Sequence, residues 1–210
     1  MYQPTAFVPY EVVILLVITF VSMAIAVFSL RGYRWVRERS LYYLFLAFAL
    51  LAVGFFALGV TEGIDYVSHM RTAPGALQIT DVGTWVYYVC YALALLILVV
   101  AYFRNVRELA VAPALLAASP VTSSTVAPVM EAVLIVLLFT IILAQVIHLS
   151  VRRTRSSVAV CATFAALLMG HVLILASSAR AADLYVIGTI VELAAFGLLL
   201  GLVLMVRRPG

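Results

Sequence analysis

Apolar runs of membrane-crossing length alternate with short basic segments along this chain. The runs cover Tyr10 to Leu30, Leu41 to Val60, Gly83 to Phe103, Val129 to Ser150, Val158 to Ser178 and Leu184 to Val206. A helix needs ~20 such residues to cross the hydrocarbon of a bilayer. Arginines follow most runs: Arg31, Arg34, Arg37 and Arg39; Arg104 and Arg107; Arg152, Arg153 and Arg155; Arg207 and Arg208. Between the second and third runs, Thr61 to Val82 is polar and reads as a loop.

Parity adds a seventh crossing. Basic segments stay on the cytoplasmic side, so Arg104/Arg107 and Arg152/Arg153/Arg155 face the same compartment, and an even number of spans must join them. The short apolar stretch Leu109 to Ser119, which contains Pro113, therefore belongs to a further span between Glu108 and Val129. Proline is tolerated there if neighbours satisfy the freed carbonyl. The expected fold is all-α and polytopic, with seven transmembrane helices, in the plasma membrane. Its N-terminus lies outside and its C-terminus in the cytoplasm. Glu11 stands at the head of the first run and no basic residue precedes it, so this run reads as a span and not as a signal peptide.

The chain also repeats itself. Residues 37–54 and 153–170 share seven of 18 positions at a shift of 116, among them the Arg-x-Arg-Ser motif, Phe48/Phe164 and Gly54/Gly170. Pro9 and Glu11 precede the first copy much as Pro128 and Glu131 precede the second. This predicts a 3+1+3 parallel repeat: 1–107, a linker helix over 108–127, and 128–210, with any functional cavity between the halves.

Composition agrees with the pattern. Of the 210 residues 66% are hydrophobic and 10% charged, too few charges to clothe a soluble domain. The net charge of +4 is clustered between apolar runs, which points to anionic lipid headgroups and not to nucleic acid. Cys90 and Cys161 fall at different depths, too far apart for a disulfide.

Ionisable groups inside spans are costly and mark functional candidates. His171 falls ~10 Å below the outer end of its span and Glu192 ~12 Å below the start of the next, so the two come level across a helical hairpin. Tyr91 lies at similar depth, and Glu131 is expected above, toward the outer interface. Such a cluster can hold or pass a proton, bind a ligand or cation, or lock helices together. His69, Glu62, Asp65 and Asp81 in the 61–82 segment are weaker candidates for a metal, without the tight spacing of a metal motif. A haem b held by His69 and His171 is conceivable near the outer surface, whereas His148 and His171 fall at opposite ends of neighbouring spans and cannot share one.

The arrangement of seven helices, N-terminus outside, in a three-one-three repeat resembles small sugar carriers of the SWEET type and the topology of microbial rhodopsins. The likeness rests on architecture alone. The chain has no lysine, which excludes a covalent retinal Schiff base, and spans two, three, six and seven lack the carriers' prolines. Three functions follow: a carrier or receptor-like sensor with a polar proton or ligand site; an accessory subunit of a larger, respiratory-type complex that binds haem or quinone; and a metal-dependent intramembrane enzyme. No catalytic nucleophile motif is present. Apart from the lipid bilayer, the expected partners are other membrane subunits or an extracytoplasmic protein docked at 61–82.

Overall fold

A computed structural model describes residues 7–70, 77–103, 126–151, 155–177 and 182–206. They form six helices: α1 (Val8–Val36), α2 (Arg39–Met70), α3 (Leu77–Phe103), α4 (Val126–Val151), α5 (Arg155–Ser177) and α6 (Ala182–Val206). All six are long and apolar enough to cross a membrane, the pattern of a polytopic helical membrane protein. In lipid every backbone N–H and C=O must be satisfied within the segment, so these runs become helices despite their many β-branched residues. Pro9 in the first turn of α1 and Glu11 beside it suit a helix start, where the N–H groups lack partners and the dipole favours an acid.

The second span departs from expectation. α2 does not stop at Val60 but continues to Met70, and α3 begins at Leu77, so most of the expected 61–82 loop is helix. Hydropathy marks where lipid ends, not where a helix must end. Thr61 and Ser68 return their hydroxyls to carbonyls of the preceding turn, at 2.9 Å to Ala57 and 2.7 Å to Ile64, and no proline interrupts the run. Of the expected linker helix over 108–127, residues 108–125 lie outside the described residues, and Val126 and Ala127 already belong to α4.

Arg37 links α1 to α2 in the left-handed region, at φ 54° and ψ 26°, and its N–H donates to the Tyr33 carbonyl at 2.8 Å. A side chain there is strained by ~1 kcal/mol. Arg37→Gly is therefore expected to raise stability slightly, read as a higher unfolding midpoint in detergent.

The six helices close a ring in chain order, with α6 returning to α1. Their directions follow from facing residues. Gly59 and Gly63 of α2 lie against Leu15 and Val12 of α1, and Gly54 and Gly83 pair with Cys90 and Thr61 across α2 and α3; both pairs run antiparallel. Between α3 and α4, Tyr88 meets Glu131 and Tyr102 meets Gln145, fourteen residues further on in both helices. These two run parallel. So do α6 and α1, where Tyr185 meets Phe7 and Glu11. The end of the bundle at which α1 begins is called the upper end below.

Large apolar side chains such as Val13, Phe20, Phe56, Phe139, Ile190 and Leu198 face away from the bundle. A water-soluble monomer does not display apolar surface on that scale, but lipid solvates it. Polar side chains turn inward instead: Glu11, Glu131, Gln145, Thr163, His171 and Glu192 are all buried.

Candidate functional site

Helix packing at one pair of glycines positions the cluster. Gly170 and Gly188 face each other where α5 crosses α6: a Cβ added at Gly188 would stand 2.8 Å from the Gly170 carbonyl oxygen. Only glycine allows that approach. His171, next to Gly170, is thereby carried into the bundle interior at the level of Glu192, one turn beyond Gly188.

His171 is fully buried, with 0% exposure, yet both ring nitrogens have partners. Nδ1 lies 2.7 Å from Glu131 Oε2, and Nε2 lies 2.9 Å from the Tyr91 hydroxyl. The Tyr91 hydroxyl donates to Glu192 Oε1 at 3.2 Å. At the other end, the Tyr88 hydroxyl donates to Glu131 Oε1 at 3.0 Å. The result is one unbranched chain, Tyr88–Glu131–His171–Tyr91–Glu192, which draws on α3, α4, α5 and α6.

All four expected residues thus meet. Their order differs from the expected one. His171 and Glu192 are level, but their 3.6 Å separation exceeds a hydrogen bond, and Tyr91 bridges them. The close partner of His171 is Glu131, which stands level with the imidazole and not above it. The sequence reading missed Tyr88, although Tyr88 and Tyr91 are one turn apart and so share a face of α3. It also missed Tyr185, whose hydroxyl donates to Glu11 Oε1.

Aromatic rings close the cluster from below. Phe196 lies one turn under Glu192, in edge contact with Phe55 at 5.4 Å and Phe48 at 6.4 Å between centroids. Phe55 also packs on Tyr91 at 5.6 Å. These buried rings separate the chain of polar groups from Tyr102, Gln145 and Thr163 in the lower half.

Of the weaker candidates, those whose side chains are described do not join it. Glu62 and Asp65 sit on the upper extension of α2, while the side chains of His69, Asp81 and His148 lie outside the described residues. Among the described residues no three His, Cys, Asp or Glu side chains gather in a metal-binding arrangement. Both nitrogens of His171 are engaged by protein groups, so a haem iron would have to displace Glu131 or Tyr91. Cys90 and Cys161 are free thiols. Compared with known proteins, this chain matches no family model, no curated protein and no solved structure.

Proposed function

We propose that the chain is a seven-helix plasma-membrane carrier or receptor-like sensor whose working element is a proton held and shifted along the Tyr88–Glu131–His171–Tyr91–Glu192 chain. The observation that carries this is the engagement of both His171 nitrogens by groups leading to two different carboxyls.

Proton bookkeeping shows why that matters. Tyr91 has one hydroxyl proton. While it donates to Glu192, it can only accept from His171, so Nε2 carries a hydrogen. A neutral imidazole then has a bare Nδ1, which accepts from a protonated Glu131. Three hops reverse the three bonds between Glu131 and Glu192: the Glu131 proton moves to Nδ1, the Nε2 proton moves to the Tyr91 oxygen, and the Tyr91 proton moves to Glu192. Glu131 ends as carboxylate and Glu192 as the acid, with no change in proton count. Ionising every group in a buried, low-dielectric interior would be costly, which favours a proton shared between the two carboxyls. Because the groups sit on four helices, the proton's position alters which helices are tied most tightly. That is the requirement for coupling protonation to a change in the bundle.

The finer architecture belongs to the same reading. Parallel α3 and α4 put Phe103 and Val126 at opposite ends of the bundle. The 22 residues between them, at ~1.5 Å each as helix, match the ~30 Å of a hydrocarbon core, which supports a seventh crossing. With the arginines cytoplasmic, the upper end faces outward. A ring in which α3–α4 and α6–α1 are the two parallel contacts supports the 3+1+3 repeat around an axis along the membrane normal. At the shift of 116 Phe55 corresponds to His171, and both flank Tyr91, at 5.6 and 5.1 Å between ring centroids.

Infrared difference spectra of the chain in liposomes, taken between acid and alkaline pH, test the function. A buried protonated-carboxyl band is expected in the wild type. Glu192→Gln should remove or shift it, and His171→Phe should shift its pH dependence by an amount no loss of packing produces. Identical spectra for wild type and Glu192→Gln would refute the reading.

A further inference from the structure

Among the described residues, Glu11 is the one buried acid that the chain of five groups does not use. Its residue is 3% exposed. Tyr185 satisfies Oε1, but Oε2 is buried without a hydrogen-bond partner. A carboxylate oxygen left bare in an apolar interior is expensive, so such a group calls for a proton or another ligand at that oxygen.

Its neighbours lead in two directions. Toward the upper end, half-buried Glu62 of α2 adjoins Gly63, which lies against Val12, the residue next to Glu11 in α1. Toward the interior, α6 carries both Tyr185, the hydrogen-bond partner of Glu11, and, further down, Glu192. Tyr185 and Glu192 are seven residues apart, or ~10 Å along α6, with the buried hydroxyl of Thr189 between them. The rings of Phe7 and Tyr185, in edge contact at 6.4 Å between centroids, shield this end of α1. The plug of Phe48, Phe55 and Phe196 closes the opposite side.

We infer that Glu11 is the acceptor through which protons from water at the upper end of the bundle reach the buried chain, passing from Glu62 to Glu11 Oε2 and on to Glu192. This rests on the proton-shuttle reading above. Each hop is balanced. Water at the upper end delivers a proton by way of Glu62 to Glu11, making it a neutral acid. The O–H bond on Glu11 then breaks as one forms on Glu192, with a water molecule as the intermediate carrier, since the Thr189 hydroxyl donates to the Tyr185 carbonyl at 3.0 Å. Glu11 returns to carboxylate and is reloaded from outside. Among the described residues, the ionisable groups facing Glu11 are Glu62 from α2 and Tyr185 and Glu192 from α6; all are acids, so a proton is the cation that lowers their mutual repulsion without needing a coordination shell.

A pH jump on the full chain in liposomes, followed by time-resolved infrared absorption at the Glu192 carboxyl band, tests this. Glu11→Gln keeps an oxygen for the Tyr185 hydroxyl but cannot carry a proton. It should slow the rise of the band by ~100-fold, the scale on which a positioned acid–base group assists transfer. Glu11→Asp should recover part of the rate. Glu62→Gln, a change near the surface that leaves the interior packed, should slow it less and covers the case in which Glu11→Gln does not fold. Wild-type rates in both Gln variants would overturn the role of Glu11 alone. A wild-type protein whose inner carboxyl band never responds to pH would remove the shuttle itself, and the intake with it.

Discussion

Replacing Glu131 with leucine is expected to destabilise the bundle by about 3 kcal/mol, the low end for breaking a buried charged or hydrogen-bonded pair. The reason is the number of groups left behind. Glu131 accepts from Tyr88 at one oxygen and faces His171 Nδ1 at the other, so its loss strands a hydroxyl and a ring nitrogen in a buried interior. The low end applies because the unfolded state of a membrane protein is still in lipid, where freed polar groups find other partners. His171→Phe should cost less, since phenylalanine fills the space and only Glu131 Oε2 and the Tyr91 hydroxyl lose a contact. The double variant Glu131→Leu/His171→Phe decides the matter. With both partners gone no unpaired ring nitrogen remains, and the combined loss should fall short of the sum of the singles by ~2 kcal/mol, in the range found for contacting residues. Reversible unfolding in mixed micelles measures all three. Additive losses would mean that Glu131 and His171 do not act as a pair.

The sequence made parts of this site legible and hid others for identifiable reasons. Depth along a helix is a linear count, and the α5–α6 turn is short, so the level of His171 with Glu192 could be read directly. The direction in which a side chain leaves its helix is another matter. Tyr87, Tyr88 and Tyr91 are all buried, and which of them meets Glu131 depends on α3 lying beside α4 in the ring. No pattern of hydropathy carries that adjacency when every helix is apolar on most of its surface. Glu131 was placed too high because its distance from the start of its own span was counted without knowing how far α4 is offset from α5. The extension of α2 to Met70 was hidden for a different reason: Glu62 and Asp65 make the segment polar, and polarity reports the end of the lipid, not the end of the helix. The six membrane-length helices themselves were the easiest reading, because so few charges leave no alternative to lipid.

Gly188→Ala should damage both the packing and the polar chain, and it separates two glycine roles that the sequence presents alike. Gly188, Gly197 and Gly201 lie on one helix and all read as small faces for helix packing. Around Gly197 and Gly201, however, an added Cβ would meet nothing within 4 Å among the described residues. Alanine there is expected to be neutral, or stabilising by up to ~1 kcal/mol through its higher helix propensity. At Gly188 the same methyl would stand 2.8 Å from both the Gly170 carbonyl oxygen and Ile174 Cγ1. A backbone oxygen cannot swing aside as a side-chain tip can, so α5 and α6 must separate, and overpacking of this kind costs ~1–3 kcal/mol. That displacement carries His171 away from Glu192 and Tyr91. The variant should therefore lose the pH-dependent carboxyl band as well as stability, while Gly197→Ala and Gly201→Ala keep both. A Gly188→Ala protein with wild-type stability and an intact band would show that close contact between α5 and α6 is not what holds the polar chain together.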